Sequence, residues 1–323
     1  MQYRRLGNAG VKVSQVALGS WLTFGRGVDD DTARLCIRRA FELGINFFDT
    51  ADIYTKGAAE EVLGRELKPL RRQDLFVATK LFWPMSENVN DRGLSRKHVF
   101  ESIANSLRRL QMDYVDLYQC HRFDGDTPLE ETVRAMDDLV RAGKILYWGV
   151  SEWPAEEIEN ACRIAREMNA CQPVSEQPEY SIAARRVETN GVQRACGQNG
   201  VGMIVWSPLK QGLLTGKYSG GNVPAGSRAA DEKMNKFLSE IMEKQGREIT
   251  ANVDQLKPIA EKLGITLAQL AIAWLLKRDA VSSVIVGASR VAQVEENAAA
   301  VDVSLPDQTA REIDTLFPAE QFQ

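Results

Sequence analysis

The sequence predicts an α/β chain folded as a (β/α)8 TIM barrel, with an N-terminal β-hairpin and extra loops and helices at the carboxyl-terminal face. Short apolar, β-rich runs alternate with longer segments of helical period, and eight such runs can be counted. No Pro/Gly/Ser-rich linker divides the chain into halves, so one domain over residues 1–323 is expected. Length and a hydrophobic content of 44% would also suit two ordinary domains; the strand count decides between them.

Residues 3–6 and 11–14, joined across the turn at 7–10, read as a hairpin ahead of the first barrel strand, placed to plug the barrel bottom. The barrel strands are expected at residues 15–18, 45–49, 75–80, 115–120, 146–150, 174–177, 202–206 and 283–286. Between them, Val99, Ile103, Leu107 and Leu110 recur at helical spacing, as do Ile158, Cys162, Ala165 and Met168. Each set gives one apolar stripe to lay on a sheet. From Pro208 to about Asn252 the rhythm breaks: Gly212, Gly216, Gly220, Gly221, Pro224 and Gly226 are more punctuation than a βα loop needs. Two readings stay open there, a lid over the catalytic face or a disordered surface insertion.

Composition narrows the function. A net charge of −4 carries no basic excess, so nucleic acid is not an expected partner. Cys36, Cys120, Cys162, Cys171 and Cys196 are odd in number, scattered and never spaced as CxxC, which points to a reducing cytoplasm. No leader-like apolar run opens the sequence and no uncharged stretch reaches membrane-spanning length, so neither secretion nor membrane insertion is expected. With His98 and His121 the only histidines and no HExxH helix, no metal site is expected.

In a barrel of this kind chemistry sits at the carboxyl ends of the strands, so polar residues that end apolar runs are the candidates. Asp49 ends the second run, Lys80 the third, and His121 follows the fourth; Tyr54 lies five residues beyond Asp49. Carbonyl reduction needs a proton donor for the alkoxide formed as hydride arrives, and a phenol whose pKa is lowered from about 10 can serve. An ammonium about 4 Å away at an effective dielectric of about 20 contributes roughly 4 kcal/mol, enough to bring the Tyr54 phenol close to neutral. Asp49 would keep Lys80 charged and fixed, and His121 would orient the substrate oxygen. Singly, these residues read as an interior ion pair, a packed aromatic and a structural histidine. Together at consecutive strand ends they are hard to explain by packing, because buried ionisable groups are costly.

Asp49-Thr50-Ala51-Asp52-Ile53-Tyr54, then Lys80, then His121 resemble the Asp, Tyr, Lys, His tetrad of the aldo-keto reductases. The motifs Gly19 to Gly25, Trp206-Ser207-Pro208-Leu209, Gly212 to Tyr218 and Val286-Gly287-Ala288-Ser289 resemble most the branch containing the potassium-channel β subunits and their bacterial relatives. The resemblance implies NADPH or NADP+ bound across the barrel mouth without a Rossmann domain, and no GxGxxG follows a strand here. Gly212 to Lys217 is not a phosphate loop of the ATPase kind, because only three residues separate its glycines and Tyr218 stands where Ser or Thr would hold magnesium.

By the same resemblance Ser151 and Gln177 would bond the nicotinamide carboxamide and Trp206 would stack on the ring. Ser207, Leu209 and Gly212 would meet the pyrophosphate, with Pro208 also counted among the cofactor residues. Lys217, Arg228 and Ser289, beside Gly287, would hold the adenosine 2′-phosphate, with Gln293, Glu296 and Asn297 around the adenine; two cations there favour NADPH over NADH. Trp21, which is also counted with the cofactor residues, would line an apolar pocket with Trp83 and Phe82. Glu152 stands where relatives carry Asn or Arg. The implied function is NADPH-dependent reduction of aldehydes or ketones. A channel β-subunit-like, NADPH-binding regulatory protein is the alternative; channel β subunits resembling this sequence tend to carry Asn at position 121, so the full tetrad favours the enzyme. A barrel hydrolase or isomerase would need a metal set or carboxylate pair that the strand ends lack. The substrate's identity and assembly into a homo-oligomer stay open.

Overall fold

The computed structural model describes residues 1–225, 227–231 and 235–322. Gly226, one of the glycines of the long segment after Pro208, lies outside the described residues. Strands β1 (Tyr3–Arg5) and β2 (Lys12–Ser14) pair antiparallel as the hairpin. Eight parallel strands then close a barrel: β3 (Val16–Gly19), β4 (Phe47–Asp49), β5 (Phe76–Leu81), β6 (Val115–Cys120), β7 (Ile145–Val150), β8 (Ser175–Glu176), β9 (Gly202–Val205) and β10 (Val281–Val286), with β10 returning beside β3. Around them run α1 (Asp30–Glu42), α2 (Ala58–Leu67), α3 (Arg96–Leu110), α4 (Leu129–Arg141), α5 (Ala155–Glu167), α6 (Arg186–Thr189), α7 (Val192–Asn199), α8 (Lys236–Leu263), α9 (Leu267–Leu276), α10 (Val291–Ala299) and α11 (Asp307–Leu316).

Local chemistry sets these boundaries. Asp29 caps α1 by accepting from the Thr32 backbone N–H, with Asp30 and Asp31 in the first turn and Arg39 in the last, the charge order a helix dipole favours. Thr266 and Gln269 form a reciprocal capping box at the start of α9. The stripe Val99, Ile103, Leu107, Leu110 is the buried face of α3, and Ile158, Cys162 and Ala165 that of α5, as the periodicity predicts, whereas Met168 lies just past the end of α5 as its C-cap and is only partly buried. Strand β8 is shorter than residues 174–177, because Pro173 and Pro178 flank it and neither has an N–H to give the ladder. Strand β9 stops at Val205, leaving Trp206 an isolated bridge to Glu179, and β10 starts two residues earlier than expected.

Two apolar layers result. One lies between strands and helices; the other fills the barrel interior with Ala17, Phe47, Phe76, Ala78, Leu117, Ile204 and Ile285. Leu6 and Val13 of the hairpin segment, fully buried, complete this inner layer from below. Each such aliphatic side chain contributes roughly 1.5–3 kcal/mol on burial.

The segment after Pro208 is neither wholly a loop nor an insertion without structure. It makes short 3-10 turns at Lys210–Thr215, Ser219–Gly221 and Arg228–Ala230, and α8 begins at Lys236, so the stretch up to Asn252 is already helical. Leu213, Leu214 and Tyr218 are fully buried and pin it to the rim. Among the described residues no single helix is long and apolar enough to cross a membrane, and all five cysteines are free.

Candidate active site

Alternation along the strands aims the polar groups. Side chains two apart share a face, and Phe76 and Ala78 of β5 face the barrel interior, so Lys80 does too. Phe47 places Asp49 inward on β4, and Leu117 places Gln119 and then His121 inward at the end of β6. The cross-strand pairs Asp49 with Ala78 and Lys80 with Gln119 set them at neighbouring heights. The polar residues are thus the top layer of the same inward rows whose lower layers are apolar.

The geometry brings the four candidates together. Lys80 Nζ, with no exposure at all, donates to Asp49 Oδ2 at 2.6 Å, to the Thr50 carbonyl oxygen at 2.7 Å and to Tyr54 Oη at 3.3 Å. The Tyr54 and His121 rings meet edge to face, centroids 5.8 Å apart. Gln177 Nε2 donates to Asp49 Oδ1 at 3.0 Å, and Ser151 Oγ donates to the Gln177 carbonyl oxygen at 2.8 Å.

The electrostatics correct one expectation. Burial raises the Tyr54 pKa above its ordinary value; Lys80 pulls it down and Asp49 pushes it back up, so the phenol is not brought close to neutral. Loss of hydration around the buried phenol, the largest of these effects, outweighs the attraction of the ammonium. Burial disfavours the Lys80 ammonium, but Asp49 and then Tyr54 outweigh it and lift its pKa. Burial, then the charges of Lys80 and Arg122, hold His121 well below its ordinary value, so the imidazole is neutral.

Asp49, Tyr54 and His121 open onto a cavity of about 1060 Å³, with Lys80 beneath it. Trp21, Ser151, Gln177, Trp206, Ser207, Pro208, Leu209, Gly212, Lys217, Arg228, Gly287, Ser289, Gln293, Glu296 and Asn297 all line it. Trp83 lines it as well, whereas Phe82 does not: its ring packs edge-on against Trp83, 5.1 Å between centroids, and against the core. Leu22, Thr55, Ser207, Lys210 and Gln211, none of them glycine, take left-handed backbone angles on this rim. Such conformations cost about 1–3 kcal/mol each and gather at functional sites. Gly212, at φ 93°, is where the chain turns back toward Lys217.

Sequence reasoning missed several participants. Glu152, left-handed at φ 57°, accepts from Trp206 Nε1 at 3.0 Å and the Glu179 N–H at 2.5 Å through Oε1, and from Arg186 Nη2 at 2.7 Å through Oε2. One carboxylate therefore ties together the loops after β7, β8 and β9. Gln211 bridges Ser207 Oγ and the Arg228 guanidinium. Behind Tyr54, Glu60 accepts from Thr79 Oγ1 at 2.6 Å and Arg109 Nε at 2.6 Å, while Asp52 accepts from Ser102 Oγ at 3.1 Å and leaves Oδ1 buried without a partner. Burial, reinforced by Glu60, pushes Asp52 up to about 7. The only sequence signal for this network was acidic residues inside an otherwise apolar pattern.

Residues 15–317 match the Aldo/keto reductase family. The chain belongs to that family. Among its relatives, a probable voltage-gated potassium channel subunit beta of Oryza sativa subsp. japonica is 45% identical over 305 residues, 94% of this chain and 92% of the relative. A protein of the same description from Arabidopsis thaliana is 45% identical over 306 residues, with the same shares covered. Aldo/keto reductases are oxidoreductases and generally bind NAD(P)H. The donor set suits such an anionic dinucleotide. Arg228 is partly buried, is desolvated, and has no carboxylate within 4.0 Å among the described residues; nor has Lys217, whose ammonium lies 5.0 Å from the Tyr218 ring centroid. Cations left without counter-charges in a cavity favour an anionic guest.

Proposed function

We propose that this single-domain chain is an NADPH-dependent reductase of aldehydes or ketones, acting in a reducing cytoplasm. The observation that carries the reading is the hydrogen bond of 3.3 Å from Lys80 to Tyr54 at the floor of the large cavity. When bound, reduced nicotinamide supplies a hydride to the carbonyl carbon. Tyr54 gives its proton to the carbonyl oxygen as that oxygen gains charge, leaving an alcohol and a tyrosinate. Lys80, held cationic by Asp49, stabilises that tyrosinate. His121, neutral, offers one N–H to orient the oxygen. Ser207, Leu209 and Gly212 are assigned to the pyrophosphate, Lys217, Arg228 and Ser289 to the 2′-phosphate, Gln293, Glu296 and Asn297 to the adenine, with Pro208, Gly287 and Trp21 beside them.

The nicotinamide end would be framed by Ser151, Gln177 and Trp206. The amide nitrogen of Gln177 is engaged by Asp49, which leaves its carbonyl oxygen as the acceptor for a carboxamide N–H. Tyr54→Phe tests the reading: turnover is lost while NADPH affinity, followed by fluorescence titration, stays within about twofold. Retained turnover removes Tyr54 as the acid. The names of the two plant relatives favour a second reading, an NADPH-binding channel-associated regulator with slow chemistry. Recovery of a stoichiometric channel partner in a pull-down, with turnover too slow to measure against a panel of carbonyls, would decide for it.

A further inference from the structure

We propose that the site selects carbonyl compounds that also carry a carboxylate, with Arg122 as the anchor; this rests on the reductase reading above. Arg122 directly follows His121 and lines the cavity alongside Tyr54 and Trp83. Its guanidinium lies 5.7 Å from the Trp83 ring centroid, and Nη1 donates to the His121 carbonyl oxygen at 2.5 Å. That bond holds the fork in place by the chain's own backbone and engages one of its five N–H donors.

Three other cations around the site are neutralised, Lys80 by Asp49, Lys210 by Glu179 and Arg186 by Glu152, whereas Lys217 and Arg228 are the pair already assigned to the cofactor. No carboxylate among the described residues lies within 4.0 Å of Arg122. A partly buried cation held in a cavity without a counter-charge is costly unless a ligand supplies one. The cofactor is not that ligand in this arrangement. In the barrel order β6, which precedes Arg122, stands four places from β10, on the opposite side of the ring from Ser289 and Gln293. Lys217 and Arg228 lie on the segment after β9, also away from β6. A single planar fork matches one carboxylate, and the Trp83 face beside it suits a short apolar spacer between acid and carbonyl. Because Arg122 is the immediate neighbour of His121, that spacer spans a few carbons or one aromatic ring.

The test compares kcat/KM for two matched pairs, 4-oxobutanoate against butanal and 4-carboxybenzaldehyde against benzaldehyde, with NADPH as cofactor. The wild-type chain favours each acid by about tenfold or more, and added salt shrinks the ratio. Arg122→Met brings both ratios to about one, Arg122→Lys keeps part of the preference, and Arg122→Glu turns it toward a cationic aldehyde such as 4-(trimethylammonio)benzaldehyde. The ratio is internal to each variant, so a general loss of folded protein does not mimic the effect. Wild-type ratios at or below one, or a preference that survives Arg122→Met, overturn the inference while leaving the reductase reading intact. No turnover of any of the four compounds by NADPH-loaded protein overturns both.

Discussion

Glu152 Oε1 accepts the indole N–H of Trp206 at 3.0 Å, so the ring expected to face the nicotinamide is held by a carboxylate from the neighbouring loop. The same oxygen takes the Glu179 N–H and the other pairs with Arg186, which makes Glu152 a positioning residue for Trp206. Glu152→Ala leaves a part-buried indole donor unpaired, a cost of about 1 kcal/mol. We expect kcat/KM to fall about tenfold, with a weaker quench of tryptophan fluorescence on NADPH binding. Glu152→Gln keeps an acceptor and should recover most of the loss; equal damage from both variants would show that charge, not the hydrogen bond, matters.

The raised pKa of Tyr54 fixes the sign of the pH dependence. Its phenol is protonated throughout the neutral range and His121 does not titrate there, so kcat for carbonyl reduction should be flat from about pH 6 to about pH 9. Alcohol oxidation needs the tyrosinate and should climb with pH over the same range. A bell-shaped reduction profile centred near neutrality would refute the assignment of both groups.

Cofactor choice should reside in Lys217 and Arg228, the cavity cations assigned to the 2′-phosphate. Replacing either by Met removes a charge-assisted contact and should raise the KM for NADPH by about tenfold or more, with that for NADH within about twofold. Equal effects on the two cofactors would move the 2′-phosphate elsewhere.

Asp52 makes the fold sensitive to pH. Its folded-state pKa of about 7 lies above the ordinary carboxylate value, so the folded chain binds the proton more tightly than the unfolded one. The stability it contributes is complete in acid, below the unfolded pKa, and is lost as pH rises through about 7, by at most about 4 kcal/mol. Thermal unfolding should show Tm falling between about pH 4 and about pH 7 in the wild type, and a shallower fall in Asp52→Asn. An identical slope in the two proteins would place the effect on another group.

Much of the barrel was legible because its code is local. Period-two alternation carries Phe76 and Ala78 to Lys80, and Leu117 to His121, without knowledge of any neighbour. The convergence of Asp49, Lys80 and His121 followed from strand ends, and that of Tyr54 from its short distance along the chain from Asp49. What failed depended on contacts between loops distant in sequence. Phe82 faces the core side of Trp83 rather than the cavity, a choice made by packing that an aromatic pair in a string of letters does not encode. Helix α8 hid behind the glycines that precede it, so its start was read too late. The phenol's acidity was misjudged because a pairwise sum of Lys80 and Tyr54 omits desolvation, the largest contribution.

Leu6 and Val13 stop the lower end of the barrel with side chains that water does not reach. Nothing can thread the β-cylinder from end to end, so reactants and products exchange with solvent through one doorway above the tetrad. For the proposed reductase, the extended dinucleotide and the small carbonyl would share that entrance. We therefore expect ordered exchange, with the cofactor settling first and the alcohol departing before it, as product-inhibition kinetics would show.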